Sequence, residues 1–279
     1  MRYSFSGHET FHCRSLWLKK GIDYIQNGHS LQDDAAVVDL GVGKNMAVSI
    51  KFWMKATALL HENTITRLGD FLFGQEGKDK YCEDVATLWI LHYHLVTSGI
   101  ASLYGLTFID FQREKREFDR DSLQSFVKRM CNTPEQKNVY NENTVRKDIG
   151  VLLQNYAAPT DLKQLERFSA LFINLHLISY LGDNKFRFSE IHKNTIPDEI
   201  ILYALFDFKR DDLSLSFDRI QILALMFCMP VASFLERLSG LAGKYSNIID
   251  YSDNSGIRNL LFKTNIDKFD FLTSYYEKL

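Results

Sequence analysis

The sequence has few cysteines, few prolines and no hydrophobic run long enough to cross a membrane. Its 4 cysteines are far apart and form no C-x-x-C pair, a pattern that favours reduced thiols in a cytosol over a disulfide framework. Only 4 prolines occur, which suits a helix-rich chain. The longest apolar segment, residues 220–231, is shorter than a membrane span and predicts a buried helix. No signal peptide is recognisable, so we expect a cytoplasmic protein with no membrane partner.

The sequence also lacks a net positive charge. Lys and Arg total 33 against 35 Asp and Glu, which gives a formal net charge of −2. A protein that coats nucleic acid without specificity is usually basic overall. Any contact with nucleic acid must therefore come from local cationic clusters, and the acidic balance elsewhere suits docking on other proteins.

Residues 33–73 predict a helix, a glycine turn and a second helix. Residues 35–40 form a short apolar run, which Gly41-Val42-Gly43 interrupts because glycine enters left-handed backbone without a steric penalty. Asn45 follows where the side chain of a helix cap is expected. The second helix has one face that is predicted to be buried, formed by Met46, Ile50, Trp53, Thr57 and Leu60.

The opposite face of this helix predicts DNA contact. It carries Lys44, Lys51 and Lys55 with small apolar side chains between them. Lysines suit phosphates and small apolar groups suit thymine methyls, as in a recognition helix. Residues 65–69 and 71–73 then predict the strands of a wing. The plain alternative is an ordinary helix hairpin with a solvated lysine face.

A later segment repeats this pattern. Residues 121–131 and 143–156 predict two helices joined by a long polar link. The second begins at Asn143 as its expected cap and carries Arg146 and Lys147 on its outer face. Its expected inner face consists of Val145, Ile149, Leu152, Leu153 and Tyr156. Residues 177–188 predict a wing-like hairpin that turns at 182–184.

These segments predict a mainly α protein of the α+β class, built from tandem winged helix-turn-helix units with short β-hairpin wings. The expected domains are an N-terminal winged helix-turn-helix at 1–78 and a second, helical winged-helix-like domain at 79–192. A C-terminal helical domain with a β-hairpin is expected at 193–279.

Residues 8–12 match the zinc-protease pattern H-E-x-x-H, with His8 and His12 as possible ligands and Glu9 as possible general base. No sheet precedes the pattern and no third ligand follows it, so we expect no metal here. The expectation is a loop and helix start with partly exposed histidines, where Glu9 helps to cap the helix. The neighbouring Cys13 leaves a metal- or thiol-dependent enzyme as the weakest alternative.

Several motifs resemble those of a bacterial family, the domain of unknown function 4007. They are Ser6-Gly7-His8-Glu9-Thr10-Phe11, Trp17-Leu18-Lys19-Lys20-Gly21, Leu40-Gly41-Val42-Gly43-Lys44-Asn45-Met46, Thr87-Leu88-Trp89 and Ser255-Gly256-Ile257-Arg258. The resemblance covers nearly the whole chain, and His12 is not part of the family's motif. It implies an accessory protein found beside DNA phosphorothioation and phage-defence genes, with no catalytic residue to carry over.

We therefore expect a non-catalytic accessory protein that binds duplex DNA in a bacterial DNA phosphorothioation or phage-defence system, without a cofactor. The expected contact residues are Lys44, Asn45, Lys51, Lys55, Asn143, Arg146 and Lys147. The cations are expected on phosphates, and the asparagines at helix starts near the bases. The alternative is a protein–protein adaptor that binds other subunits of such a complex, as near-neutral charge and abundant aromatics suggest.

Overall fold

The computed structural model describes residues 3–33, 35–159, 169–192, 194–254 and 257–279. Two compact units are present, Met1–Ser189 and Glu190–Leu279. The mixture of helices and small antiparallel sheets confirms the α+β class. The three-domain division stays a prediction beside this two-unit division. Ser255 and Gly256 of the family motif lie outside the described residues.

The described part of the N-terminal unit is mostly helical, with short strands between the helices. Its helices are α1 Ser15–Gln26, α2 Ala35–Asp39, α3 Lys44–Ala56, α4 Arg67–Phe73, α5 Val85–Thr97, α6 Ser102–Gly105, α7 Gln112–Glu114, α8 Arg120–Met130, α9 Pro134–Val139 and α10 Glu142–Tyr156. A π-helical segment, Leu106–Phe111, joins α6 to α7, and a 3-10 turn covers Ile173–Leu175. The strands are β1 Leu60–His61, β2 Thr64–Ile65, β3 Glu117–Asp119, β4 Ile178–Gly182 and β5 Lys185–Phe188.

The C-terminal unit alternates helices with one sheet. Its helices are α11 Asp198–Lys209, α12 Phe217–Met226, α13 Val231–Lys244 and α14 Lys268–Tyr276, and its strands are β6 Ser214–Ser216, β7 Ile249–Asn254 and β8 Ile257–Phe262. Within the described ranges, no single helix combines the length and the apolar composition needed to cross a membrane. Helices α12 and α13 reach that length and composition only when they are taken together, and they are bent by 108° relative to each other.

Helix α3 buries the face that the sequence predicts. Ile50 and Trp53 of α3 and its C-cap Thr57 are fully buried, because helical spacing brings them to one side. Met46 is half-buried, and Leu60, which the sequence predicts on the same helix face, lies in β1 instead. The expected cap is wrong, however. Gly43 is the N-cap and makes no side-chain cap bond, so Asn45 lies inside the first turn of the helix.

The expected wing after α3 is also wrong in its position. The hairpin consists of β1 and β2, which pair Leu60 with Ile65. The segment expected to be extended is helix α4, because the Thr66 side chain accepts a hydrogen bond from the backbone N–H of Gly69 at 3.1 Å and caps the helix. Leu68 and Leu72 then fall on a buried face at helical spacing.

The second hairpin is confirmed. Strands β4 and β5 pair antiparallel, and β5 also pairs with β3, so the order is β3-β5-β4. Asp183 and Asn184 form the turn in left-handed backbone, with φ of 46° and 62°, which matches the right-handed twist of the strands.

The helices before that hairpin differ from the prediction in two details. The expected polar link contains α9, which begins with a capping box between Thr133 and Gln136. Helix α10 begins at Glu142, where the Asn141 side chain accepts a hydrogen bond from the backbone N–H of Thr144 at 3.0 Å. Asn143 is therefore a residue of the first helical turn and not the cap.

The C-terminal sheet has the same arrangement as the second one. Its order is β6-β8-β7, so the last strand of the hairpin again lies in the centre. The expected hairpin near residues 248–262 is confirmed as β7 and β8. Phe234, Leu238 and Leu260 are buried in the core of this unit.

Candidate nucleic-acid interface

The outer face of α3 carries four of the seven predicted contact residues. Lys44 and Asn45 are exposed, and Lys51 and Lys55 are half-buried. Across the described residues, none of the four side chains forms an ion pair or a hydrogen bond. Val48 is exposed between Lys44 and Lys51, so the face combines free cations with an aliphatic group, as a major-groove helix does.

Lys51 is the member of this face with a perturbed charge. Burial lowers its pKa, and the like charge of Lys55 lowers it further. Both effects disfavour a positive charge that lacks a counter-ion. An anion bound beside Lys51 would oppose both effects, because an opposite charge favours the charged form of the ammonium group.

The outer face of α10 carries the other three predicted residues. Asn143, Arg146 and Lys147 are exposed, and within the described ranges their side chains have no ion-pair or hydrogen-bond partner. The inner face is confirmed, because every predicted member is buried: Val145, Ile149, Leu152, Leu153 and Tyr156.

The family motif at residues 6–11 fixes α3 against α10. The imidazole of His8 is 4% exposed and stacks on the Trp53 indole of α3, with ring centroids 5.8 Å apart and an interplanar angle of 11°. Its Nε2 lies 3.1 Å from Oδ1 of Asp148 in α10. Oδ2 of Asp148 accepts a hydrogen bond from the backbone N–H of Ser6 at 2.7 Å. A single side chain thus contacts both candidate DNA-contact helices.

A buried polar network makes a second link. Oδ1 of Asn155 in α10 accepts a hydrogen bond from the backbone N–H of Cys13 at 2.9 Å. The Asn155 amide nitrogen donates to the Tyr104 hydroxyl at 2.7 Å, and the Tyr104 ring meets Trp53 edge-on at 5.9 Å. Buried polar groups that are fully paired hold one arrangement, so this network and His8 together set the position of α3 relative to α10.

The structure corrects the expectations for the H-E-x-x-H pattern. Glu9 and Thr10 have φ of 46° and 66°, so the pattern is not helical and its two histidines are not one helical turn apart. The histidines are buried rather than partly exposed. Helix α1 begins at Ser15 with Arg14 as its N-cap, so Glu9 does not cap it. No group of three metal-ligating side chains is found in the described part of the chain.

Cys13 does not have the surroundings of a reactive thiol. Its side chain is fully buried, and burial raises its pKa. Reactive thiols have a lowered pKa and some access to solvent. Cys13 and the neighbouring His8 and His12, whose proximity in the sequence suggests thiol chemistry, are therefore all buried in the protein core.

Two buried polar residues of α10, Asp148 and Asn155, were not anticipated from the sequence. A signal for them exists, because both fall on the inner face of an amphipathic helix. A polar residue at such a position requires a buried hydrogen-bond partner. The sequence does not indicate where that partner lies, since Ser6 and His8 are about 140 residues away along the chain.

In the C-terminal unit, most of the described lysines and arginines form ion pairs. In α13, which precedes the hairpin as α10 does, Arg237 and Lys244 both pair with Asp198. The other paired cations of this unit are Arg219, Arg258, Lys263, Lys268 and Lys278. Among the described residues, α10 thus carries unpaired cations on its outer face, whereas Arg237 and Lys244 of α13 are paired.

Comparison with known proteins gives a family and a fold. The family model described as protein of unknown function (DUF4007) matches residues 5–276. One SspB crystal structure is similar over 98% of this chain and 88% of its own, with a TM-score of 0.85 and 24% identity. A magnesium ion-bound SspB crystal structure is similar over the same shares, with a TM-score of 0.82 and 25% identity. None of the curated proteins matches the chain.

Proposed function

We propose that this chain, which belongs to the DUF4007 family of proteins of unknown function, is a non-catalytic component that binds duplex DNA. We place it in the cytoplasm, in a bacterial DNA phosphorothioation or phage-defence system. Its contact surface is formed by the outer faces of α3 and α10. The genomic setting is the one implied by the family resemblance, and the DNA contact is inferred from the side chains themselves.

The order of the elements supports a winged-helix interpretation. In the described residues between 106 and 188, a helical segment is followed by β3, by α8, α9 and α10, by the 3-10 turn Ile173–Leu175 and by the β4–β5 hairpin, with β5 between β3 and β4. In a winged helix the helix just before the hairpin enters the major groove. Among the described α-helices, α10 is the last before the β4–β5 hairpin, and α3 takes the same place before the shorter β1–β2 hairpin.

The observation that carries the proposal is the contrast between free and paired cations. Five cations, Lys44, Lys51, Lys55, Arg146 and Lys147, have no acidic partner among the described residues. The cations of the C-terminal unit are largely neutralised by ion pairs. A chain with a net charge of −2 that leaves cations unpaired on two helix faces has local positive potential there, as phosphate contact requires.

The experiment is a fluorescence anisotropy titration of a 20-base-pair duplex at several salt concentrations. The test variant combines Lys44→Gln, Lys51→Gln and Lys55→Gln. Each lost phosphate contact lowers the slope of log affinity against log salt by about 0.9, so we expect a loss of about 2.7. The matched control combines Lys244→Gln, Lys263→Gln and Lys278→Gln, which changes the net charge equally but removes lysines that are paired.

An unchanged slope in the test variant, or an equal loss in the control, would refute the assignment of α3. The titration is run with and without Mg²⁺, because one of the similar SspB structures is magnesium ion-bound. The non-catalytic part has its own test. Supercoiled plasmid incubated with the protein and Mg²⁺ should stay supercoiled, and conversion to open circles would show a catalytic activity.

A protein-binding role is the second candidate, and the C-terminal unit favours it. Leu213, which directly precedes β6, is 74% exposed, and Leu261 of β8, which pairs with Ser214, is 44% exposed. Exposed large apolar side chains beside neutralised charges suit a protein surface more than a phosphate backbone. Co-purification with products of the native operon that persists after nuclease treatment, and is lost in Leu213→Ser/Leu261→Ser, would support this role.

A further inference from the structure

Two adjoining cavities meet at Lys51. The larger is about 330 Å³ and is lined by Leu31, Gln32, Asp33, Val37, Lys44, Ala47, Val48 and Lys51. The smaller is about 60 Å³ and is lined by Ile25, His29, Ser30, Leu31, Lys51, Leu60 and Asn63. Lys51 and Leu31 belong to both linings, so the two cavities are neighbours.

The smaller cavity has the size and lining of an oxyanion site. It lies where α3, the loop after α1 and the turn between β1 and β2 come together. The polar residues of its lining are Lys51, His29, Ser30 and Asn63, and the side chain of each can donate a hydrogen bond. The His29 ring is held by stacking on Tyr24, with centroids 4.8 Å apart. A space of about 60 Å³ has room for the oxygens of one phosphate group.

Among the described residues, no acidic side chain forms an ion pair with Lys51. Lys44 and Lys55 on α3 have the same charge as Lys51, and His29 belongs to the loop that lines the smaller cavity. Asp33 lines only the larger cavity, and its carboxylate accepts a hydrogen bond from the backbone N–H of Ser30 at 3.3 Å. A half-buried ammonium among like charges is stabilised strongly by an anion placed beside it.

We propose that the smaller cavity is a phosphate-oxyanion site, with Lys51 as its anchor and His29, Ser30 and Asn63 as donors. The site deepens the proposed function, and it rests on that function only for the source of the phosphate, which is the backbone of bound DNA. Phosphate bound here would hold the duplex against the loop and the hairpin at one edge of α3, while Lys44 and Lys55 contact neighbouring phosphates.

The test is an NMR titration of the full chain with inorganic phosphate, against chloride at equal ionic strength. We expect saturable shifts of the Ser30, Leu31 and Asn63 amide signals with phosphate only. Lys51→Gln should weaken phosphate binding about tenfold or more, because a charge-assisted hydrogen bond is lost. Lys51→Arg should retain binding.

Lys128→Gln is the matched control, since Lys128 is exposed on α8, away from the cavity lining, and it should bind phosphate like the wild type. All three substitutions are at accessible positions, so the variants are expected to fold, and the dispersion of their spectra checks this. Equal responses of the wild type and Lys51→Gln, or equal responses to phosphate and chloride, would overturn the site.

The DNA titration separates this inference from the proposed function. Phosphate binding by Lys51 in a protein that binds no duplex would support the site and overturn the DNA function. Duplex binding that is unchanged in Lys51→Gln, together with lost phosphate binding, would support an oxyanion site and overturn its assignment to the DNA backbone. Loss of phosphate binding and of duplex binding in Lys51→Gln, with both retained in Lys51→Arg and Lys128→Gln, supports the full proposal.

Discussion

Removal of the Asp148 carboxylate gives the sharpest test of how the N-terminal unit is held together. This carboxylate is buried and bonds the backbone N–H of Ser6 at 2.7 Å and the imidazole of His8 at 3.1 Å. Asp148→Ala leaves both groups without their partner. Two hydrogen bonds that involve a charged group contribute about 1.5–3 kcal/mol each, and breaking a buried pair typically costs about 3–5 kcal/mol. We therefore expect a loss of about 3–5 kcal/mol in the free energy of unfolding.

The conservative change Asp148→Asn should cost less. The amide oxygen of asparagine can still accept the hydrogen bond from Ser6, but its charge is lost. We expect a cost of about 1–2 kcal/mol. Because α3 and α10 are then held less firmly, the duplex affinity of this variant should also fall under conditions where the protein is fully folded.

Urea unfolding followed by tryptophan fluorescence measures these costs. The chain has 3 tryptophans, Trp17, Trp53 and Trp89, and all lie in the N-terminal unit, so the signal reports on that unit alone. A double-mutant cycle with His8→Ala isolates the pair, for which we expect a coupling of about 1–3 kcal/mol. A cost below about 1 kcal/mol for Asp148→Ala, or a coupling near zero, would refute the role given to the family motif.

Three further predictions follow from single positions. Gly69→Ala should destabilise the protein by about 1–3 kcal/mol in urea unfolding, since its Cβ would lie 2.5 Å from the Leu59 carbonyl oxygen; no change would contradict this packing. Asp119→Ala should cost about 1 kcal/mol by removing the α8 cap. Hydrogen bonds from Ser122 lower the Asp119 pKa, so that stabilisation is present above its ordinary pKa and should disappear as the pH falls through the lowered one. Lys51→Gln should raise the urea midpoint of unfolding in phosphate-free buffer, because the lowered pKa of Lys51 means that its charged form destabilises the folded protein. This gain in stability should vanish as the pH rises through the lowered pKa toward 10.5. A gain that is independent of pH would exclude the charge of Lys51 as its cause.

The sequence predicts those features that depend on local periodicity. The buried face of α3 and the inner face of α10 are confirmed because helical spacing alone brings their apolar residues together. The outward position of Lys44, Arg146 and Lys147 follows from the same geometry. Turn chemistry likewise indicates the β4–β5 hairpin, since Asp and Asn tolerate left-handed backbone.

The errors concern element boundaries, where two local signals compete. Asn45 and Asn143 are good capping residues by type, but Gly43 and Asn141 start the helices. The segment after Thr66 contains aromatic and leucine residues that suit a strand or a helix. The hydrogen bond from the Gly69 N–H to the Thr66 side chain and the burial of Leu72 favour the helix over a strand. Strand propensity indicates neither of them.

By itself, the sequence determined the α+β class and the two helix faces that carry free cations, because spacing and residue type fix them locally. Only the tertiary structure decided that His8 pairs with Asp148 rather than with His12 in a metal site, since that contact joins residues about 140 positions apart. It also placed Cys13 in the core, where burial raises the pKa of the thiol. The smaller cavity at Lys51 likewise depends on the tertiary structure, because it forms where the loop after α1, helix α3 and the β1–β2 turn meet.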